Sequence, residues 1–232
     1  MKNNYPLEQL EKTIQYEFKN KEYLMQAVTH SSFANEQKIN RRKDYERLEF
    51  LGDAVLELVS SEELFFEDKD MNEGRLTRTR ATIVCEPSLA ACAREISLEQ
   101  YICLGKGEEA TGGRNRDSII SDVLEALIGA LYLDGGLQVA KDFIHRVILN
   151  DWQDKVMFYD SKTILQEKIQ EDNTKVLEYR LVSEEGPDHN KTFTVEAYIN
   201  DEFYGSGEGK NKKSAEQKAA YEAIKKLNNC KK

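Results

Sequence analysis

The densest group of potentially reactive side chains lies in Asp44-Tyr45-Glu46-Arg47-Leu48-Glu49-Phe50-Leu51-Gly52-Asp53-Ala54-Val55-Leu56. Wound as a helix at about 100° per residue, the segment puts Glu46, Glu49, Asp53 and Glu57 in a stripe roughly 80° wide. Leu48, Leu51, Val55 and Leu58 then lie nearly opposite. Like charges at helical neighbour spacing repel by roughly a few tenths of a kcal/mol per pair, and no Lys or Arg stands inside the stripe. Such a stripe is either a solvated charged face or one that holds a divalent cation. Hard cations such as Mg²⁺ take oxygen ligands and commonly hold substrate phosphates too, so the second reading points to phosphodiester chemistry. The helical wheel does not separate the two.

A second segment, Ser118-Ile119-Ile120-Ser121-Asp122-Val123-Leu124-Glu125-Ala126-Leu127-Ile128-Gly129-Ala130-Leu131, repeats the design. Asp122 and Glu125 share one face of a helix, and Leu124, Leu127 and Leu131 form the other. Gly52 and Gly129 lie beside the acidic faces, where a missing side chain lets a backbone or a ligand come close. Two helices packed there would bring Glu49, Asp53, Asp122 and Glu125 to one site.

Glu46-Arg47-Leu48-Glu49-Phe50-Leu51-Gly52-Asp53 resembles the signature of the ribonuclease III family of double-strand-specific endoribonucleases. Further segments agree in family order. They are Val28-Thr29-His30-Ser31-Ser32-Phe33-Ala34-Asn35-Glu36, Asn72-Glu73-Gly74-Arg75-Leu76-Thr77-Arg78, Leu104-Gly105-Lys106-Gly107-Glu108-Glu109 with Gly112-Gly113-Arg114, and Asp122 to Ala130. The resemblance implies an all-α endonuclease domain in which Glu49, Asp53, Asp122 and Glu125 are the metal-binding catalytic set. Glu46 and Glu73 match two further acids near the cleavage centre. The implied cofactor is Mg²⁺, for which Mn²⁺ can substitute. Tyr45 stands where bacterial members often have Asn, and Asp117 where many have Pro; neither departure removes a ligand.

The chain has 232 residues, enough for two domains. No apolar run approaches the roughly 18 residues of a membrane helix, and the N-terminus lacks the apolar stretch of a signal peptide, so a cytoplasmic protein is expected. Cys85, Cys92, Cys103 and Cys230 show no Cys-x-x-Cys spacing and read as reduced thiols rather than a zinc site or disulfide framework. The net charge of −9 is concentrated in residues 1–159, where 20 Lys and Arg meet 28 Asp and Glu; residues 160–232 carry only −1. Binding to phosphates must therefore rely on local cationic clusters and on metal ions.

Periodicity changes type near residue 150. We expect a catalytic domain over 1–150, a linker over 151–159 and a second domain over 160–232. Trp152, Phe158 and Tyr159 in the linker could stack on RNA, but aromatics there more often cover the edge of a neighbouring domain. Beyond it, Lys162 to Gln170 reads as a helix with Ser161 as N-cap. Leu177 to Leu181 and Thr192 to Ile199 alternate with period two, with Phe193, Val195, Ala197 and Ile199 on one face and Asn200-Asp201 as a hairpin turn. The last helix carries Ala215, Ala219, Ala223 and Leu227 in a stripe joined by Ala220 and Ile224, so it can lie close on a sheet.

This α-β-β-β-α order is similar to the double-stranded RNA-binding domain, giving a two-domain, α plus α/β chain. Thr163, Gln166 and Glu167 match the positions on the first helix that reach a minor groove. Gly186, Pro187, Asp188 and His189 match the loop that enters the next one. Lys210, Lys212 and Lys213 match the basic cluster that spans the intervening phosphates, at a helix N-terminus with its own attraction for anions.

The resemblance implies hydrolysis of duplex RNA to 5′-phosphate and 3′-hydroxyl ends with a short 3′ overhang, in the processing of ribosomal RNA precursors and other structured RNAs. A cation at the acidic set would lower the pKa of the attacking water and stabilise the departing 3′ oxygen. Two other classes are a non-enzymatic duplex-binding protein, which would be expected to have lost some acids, and a phosphohydrolase of small nucleotides, which leaves residues 160–232 unexplained. His30 and His145 read as structural histidines, with no nucleophile placed beside them. Phe50 falls next to the acidic stripe, away from the leucine face, so either another helix of the same subunit covers it or a partner does. The family resemblance favours the partner, a homodimer with Phe50 at its interface.

Overall fold

The apolar periodicities of the first two thirds fold as helices. The computed structural model describes residues 7–37, 43–67, 69, 71–150, 152–170, 172, 174–187 and 191–229. The chain divides into two units, Met1–Trp152 and Gln153–Lys232. In the first run α1 (Leu7–Ile14), α2 (Lys21–Ala27), α3 (Ser31–Glu36), α4 (Glu46–Glu67), α5 (Glu73–Ile83), α6 (Glu86–Glu95), α7 (Lys106–Ala110), α8 (Asp117–Gly135) and α9 (Leu137–Ile144). Among the described residues of this unit the only β pairing is a parallel bridge between Thr29 and Cys103.

Helix α8 is the centre. Ile119, Ile120, Val123, Leu124, Ala126, Leu127, Ile128, Ala130 and Leu131 are all buried, so it is apolar nearly all round, and it packs on α2, α4, α6 and α9. Its first residue, Asp117, suits the positive end of the helix and pairs with Arg94 of α6.

Helix α4 crosses α8 at two glycines. A Cβ on Gly52 would stand 1.8 Å from the Glu125 carbonyl oxygen, and one on Gly129 would stand 2.2 Å from that of Leu48. The backbones themselves are in contact. This contact turns α4 from the expected orientation. The buried stripe is Leu48, Gly52, Val55, Leu56 and Val59, whereas Leu58, expected in the core, is exposed. The shift is about 60° around the helix, because closest approach follows the glycine and not the largest side chains. Glu49 consequently sits at the margin of the buried face, not opposite it.

Helix α10 (Trp152–Tyr159), which starts on the last residue of the first unit and otherwise belongs to the second, occupies the segment expected as a linker, and α11 (Ser161–Gln170) follows after one residue. Ser161 is not an N-cap: its hydroxyl donates to the carbonyls of Met157 and Phe158, serving the end of α10 instead. Phe158 packs edge-on against Tyr221, with ring centroids 5.2 Å apart, so it covers the last helix of its own unit.

Strands β1 (Leu177–Glu185), β2 (Thr192–Ile199) and β3 (Glu202–Gly209) form an antiparallel sheet in order β1-β2-β3, and α12 (Lys212–Asn229) closes the unit. Asn200 and Asp201 both take positive φ, the requirement of a two-residue type I′ hairpin. Val195, Ala197 and Ile199 are buried on one face of β2. Ala215, Ala219 and Ala223 of α12 lie so close on β3 that a Cβ on Gly205 or Gly207 would meet the Ala219 or Ala215 carbonyl oxygen at 2.6 and 2.4 Å.

Cys85, Cys92 and Cys103 are free thiols, and Cys230 lies outside the described residues. Among the described residues no helix is long and apolar enough to cross a membrane.

Gly52→Ala has no room unless α4 and α8 separate. It should lower the stability of the first unit by about 3 kcal/mol, the upper end for overpacking where the obstacle is backbone. Urea denaturation measures this, and an unchanged midpoint would contradict the crossing.

Candidate metal centre and duplex-binding surface

The glycine crossing brings three carboxylates from two helices together. Oxygens of Glu49 on α4 and of Asp122 and Glu125 on α8 all lie within 4.8 Å of one another, and each of the three residues is half-buried. The donors are all oxygen, the set that suits a hard divalent cation. Among the described residues no Lys or Arg forms an ion pair with any of them. Glu57, in the same sequence stripe, does have a cation, since Arg80 of α5 approaches it at 3.7 Å.

The electrostatics record the crowding. Burial pushes the Glu125 carboxyl up to about 8, reinforced by the charges of Asp53, Glu49 and Asp122. Burial likewise pushes Glu49 up to about 7, with Asp122, Glu46 and Asp53 adding to it. Asp122 is raised too, first by burial, although a hydrogen bond from the Tyr45 hydroxyl opposes the shift.

The expected acids therefore separate into three positions. Glu49, Asp122 and Glu125 form the close group. Asp53 is exposed and outside it, one helical turn from Glu49, but close enough for its charge to act on both glutamates. Glu46, exposed at the start of α4, acts on Glu49 in the same way. Glu73 opens α5, where it accepts a 3.1 Å bond from the Thr77 hydroxyl, and does not enter the group.

Two further neighbours of the acidic group carry no sequence signal. Tyr45 is buried and its hydroxyl reaches Asp122 Oδ2 at 3.3 Å. Glu86, the first residue of α6, adds its charge to Asp122. Tyr45 acts by a hydrogen bond from the residue before α4 and Glu86 by its charge from α6, so no local spacing marks either. His30 has a structural place: its Nδ1 accepts from the Ser32 N–H and caps α3, and burial lowers its pKa. His145 stands 3.6 Å from Glu63, away from the acidic group.

In the second unit Thr163, Gln166 and Glu167 share the face of α11 opposite the buried Leu165 and Ile169. Pro187 is exposed, while Asp188 and His189 lie outside the described residues. Lys210, Lys212 and Lys213 are exposed around the start of α12, whose first turn is capped by the Asn211 side chain accepting from the Ser214 N–H at 2.8 Å. Among the described residues these three lysines make no ion pair, whereas Lys162, Lys175, Lys191 and Lys225 of the same unit are each paired to a carboxylate. The start of this long helix is therefore electropositive, from the three lysines and from the helix dipole.

Comparison with known proteins agrees with both units. A Ribonuclease-III-like family model matches residues 20–152, and a Double-stranded RNA binding motif matches 161–227. A helical nuclease unit followed by such a motif defines an endonuclease that acts on double-stranded RNA. The chain is 51% identical over 221 residues to Ribonuclease 3 of Caldanaerobacter subterraneus subsp. tengcongensis, covering 94% of this chain and 96% of the relative. It is 48% identical over 222 residues to Ribonuclease 3 of Listeria monocytogenes, covering 95% and 97%. The nuclease domain of ribonuclease III from Campylobacter jejuni matches with a TM-score of 0.58 and 43% identity, covering 62% of this chain and 97% of that one. This chain belongs to the ribonuclease III family and is a double-stranded RNA endoribonuclease.

Glu49 and Glu125 are raised to about 7 and about 8 from an ordinary 4.5, so between about pH 4.5 and 8 the folded chain binds more protons than the unfolded one. Stability contributed by these groups is therefore lost as pH rises through that window. In a chelator, the melting temperature of the nuclease unit should fall between pH 6 and 8.5. Glu125→Gln, which cannot ionise, should flatten the fall, and scanning calorimetry of the two proteins measures the difference. Equal slopes would mean that Glu125 is not held protonated.

Proposed function

We propose that the enzyme hydrolyses duplex RNA with Mg²⁺ held by Glu49, Asp122 and Glu125, with Asp53 completing the set from the exposed side. The observation that carries this is the close group of three half-buried carboxylates, with which no Lys or Arg among the described residues forms an ion pair. Mn²⁺, with similar oxygen preference, can take the same place. A divalent cation supplies there the charge neutralisation and water activation that phosphodiester hydrolysis needs. The chain's own part is to fix the oxygens. Gly52 and Gly129 set the distance between the two helices, and the half-buried walls keep the carboxylates from being satisfied by bulk water. Glu46 and Glu73 contribute negative charge at the periphery.

The second unit positions the substrate. Thr163, Gln166 and Glu167 on α11, and the loop with Pro187, Asp188 and His189, reach successive minor grooves. Lys210, Lys212 and Lys213 bridge the phosphates between them, so recognition is by A-form shape. Attack of water on phosphorus with departure of the 3′ oxygen leaves 5′-phosphate and 3′-hydroxyl ends, and two such cuts offset across the duplex leave a short 3′ overhang. The cellular setting is cytoplasmic processing of ribosomal RNA precursors and other structured RNAs.

Paired cuts require two centres, and we assign the chain to a homodimer. Phe50, Leu58 and Phe65 of α4 are 81%, 57% and 65% exposed, and they fall within roughly 80° of one another around the helix. An apolar stripe of this size suits a self-complementary surface. The Campylobacter jejuni nuclease domain is described as having a region involved in dimer formation.

Two substitutions test these assignments. Glu125→Gln mimics the protonated acid and should leave the fold and duplex binding intact while lowering cleavage in Mg²⁺ by about a hundredfold or more. Near wild-type turnover would remove Glu125 from the centre. Phe50→Ala deletes two buried rings per dimer at about 1.5–3 kcal/mol each, so the dimer dissociation constant should rise at least about a hundredfold. Sedimentation reads the dissociation, and the ratio of nicked to fully cut duplex should rise with it. A variant as tightly dimeric as wild type would exclude Phe50 from the interface.

A further inference from the structure

Tyr45 touches both helices that carry the acidic group. It precedes α4, and its carbonyl accepts the N–H of Leu48 at 2.8 Å and of Glu49 at 2.9 Å, so it closes the first turn on which Glu49 stands. Its own N–H donates to the Thr29 carbonyl at 2.9 Å, tying that turn to the segment after α2. Its side chain runs the other way, into α8, where the hydroxyl donates to Asp122 Oδ2. The ring is 4% exposed and packs against the His30 ring, centroids 5.6 Å apart. His30 is itself fixed by Ser32, through the Ser32 N–H at 3.1 Å and its hydroxyl at 2.7 Å. The phenol therefore has little freedom to swing away from Asp122.

We propose that Tyr45 is a positioning residue for the nuclease reaction: its hydroxyl occupies one oxygen of Asp122 and turns the other toward Glu49 and Glu125, while its carbonyl sets the turn that presents Glu49. One residue thereby couples the placement of two carboxylates on different helices. This inference rests on the reading of Glu49, Asp122 and Glu125 as a divalent-cation centre. A carboxylate held by an outer hydrogen bond loses less orientational freedom when a cation arrives, and removing such partners typically weakens metal binding by about ten- to a hundredfold.

Tyr45→Phe deletes the hydroxyl and keeps the ring. Mn²⁺ binding to the full chain, followed by electron paramagnetic resonance without RNA, should weaken about tenfold or more. The Mg²⁺ concentration for half-maximal cleavage should rise by a similar factor, with the rate largely restored at saturating Mg²⁺. Duplex binding without divalent cation should not change. Asp122→Asn runs in parallel. If Asp122→Asn abolishes Mn²⁺ binding but Tyr45→Phe binds as wild type does, the role of Tyr45 is overturned and the cation centre stands. If Asp122→Asn binds Mn²⁺ as tightly as wild type, the centre itself is wrong and the inference falls with it. A measurement on the unaltered chain guards against a variant that does not fold. The ¹³Cζ resonance of Tyr45, assigned through its proximity to the His30 ring, should shift during Mg²⁺ titration with the midpoint of binding. A resonance that does not move overturns the proposal.

Discussion

The backbones of α4 and α8 touch at Gly52 and Gly129, and the geometry of the nuclease unit depends on that contact. Side chains normally keep helix axes about 8–10 Å apart. Removing Cβ at both positions of a crossing lets carbonyl oxygens of one helix approach the other directly. Two things follow from one approach. The axial rotation of α4 is fixed by the position of its glycine, and Glu49, about one turn from Gly52, is forced to share a small volume with Glu125 and Asp122, about one and two turns from Gly129.

That forced proximity is an unfavourable arrangement for the apo protein. Half-burial and mutual repulsion keep protons on Glu49 and Glu125 that ordinary carboxylates would have shed at neutral pH. The fold tolerates this because α8 is enclosed by apolar packing on most of its circumference, and that enclosure is large compared with the repulsion of a few charges. For the cation centre proposed above, the gain is pre-arrangement: oxygens that are already converged require little reorganisation when a cation binds. The division of labour between the units follows the charges. Among the described residues, acids without an ion pair gather in the first, and lysines without one gather at the start of α12 in the second.

Much of this was legible in the sequence. The acidic positions at helical spacing, the paired glycines beside them and the ordered series of family segments identify the helices and the double-stranded RNA endonuclease family, and the alternation of Thr192 to Ile199 identifies the central strand with its buried face. Other features were not legible for definite reasons. The rotation of α4 departs from the leucine pattern because a wheel weights residues by hydrophobicity, whereas the approach here is decided by an absent side chain. Ser161 has the composition of a cap, but its hydroxyl is drawn to carbonyls of the preceding helix, which begins where a linker was expected. The Tyr45 to Asp122 bond joins residues 77 positions apart, a relation that only the packed fold can reveal. Asp53 and Glu73 carry the same residue type as the close group, yet which carboxylates meet is settled by the crossing and not by composition.

The contact between α12 and β3 has a thermodynamic consequence of its own. Five of the ten buried residues in that core are alanine, and the facing strand positions include Gly205 and Gly207. Alanine and glycine have no side-chain rotamers to freeze on folding, although glycine loses more backbone freedom than other residues. They also remove little apolar surface from water. Because the heat capacity of unfolding scales chiefly with the apolar area exposed, this unit should show a low heat-capacity increment for its size and a correspondingly flat dependence of stability on temperature. The RNA-binding surface built on it would then keep its shape over a broader thermal range than its modest core suggests.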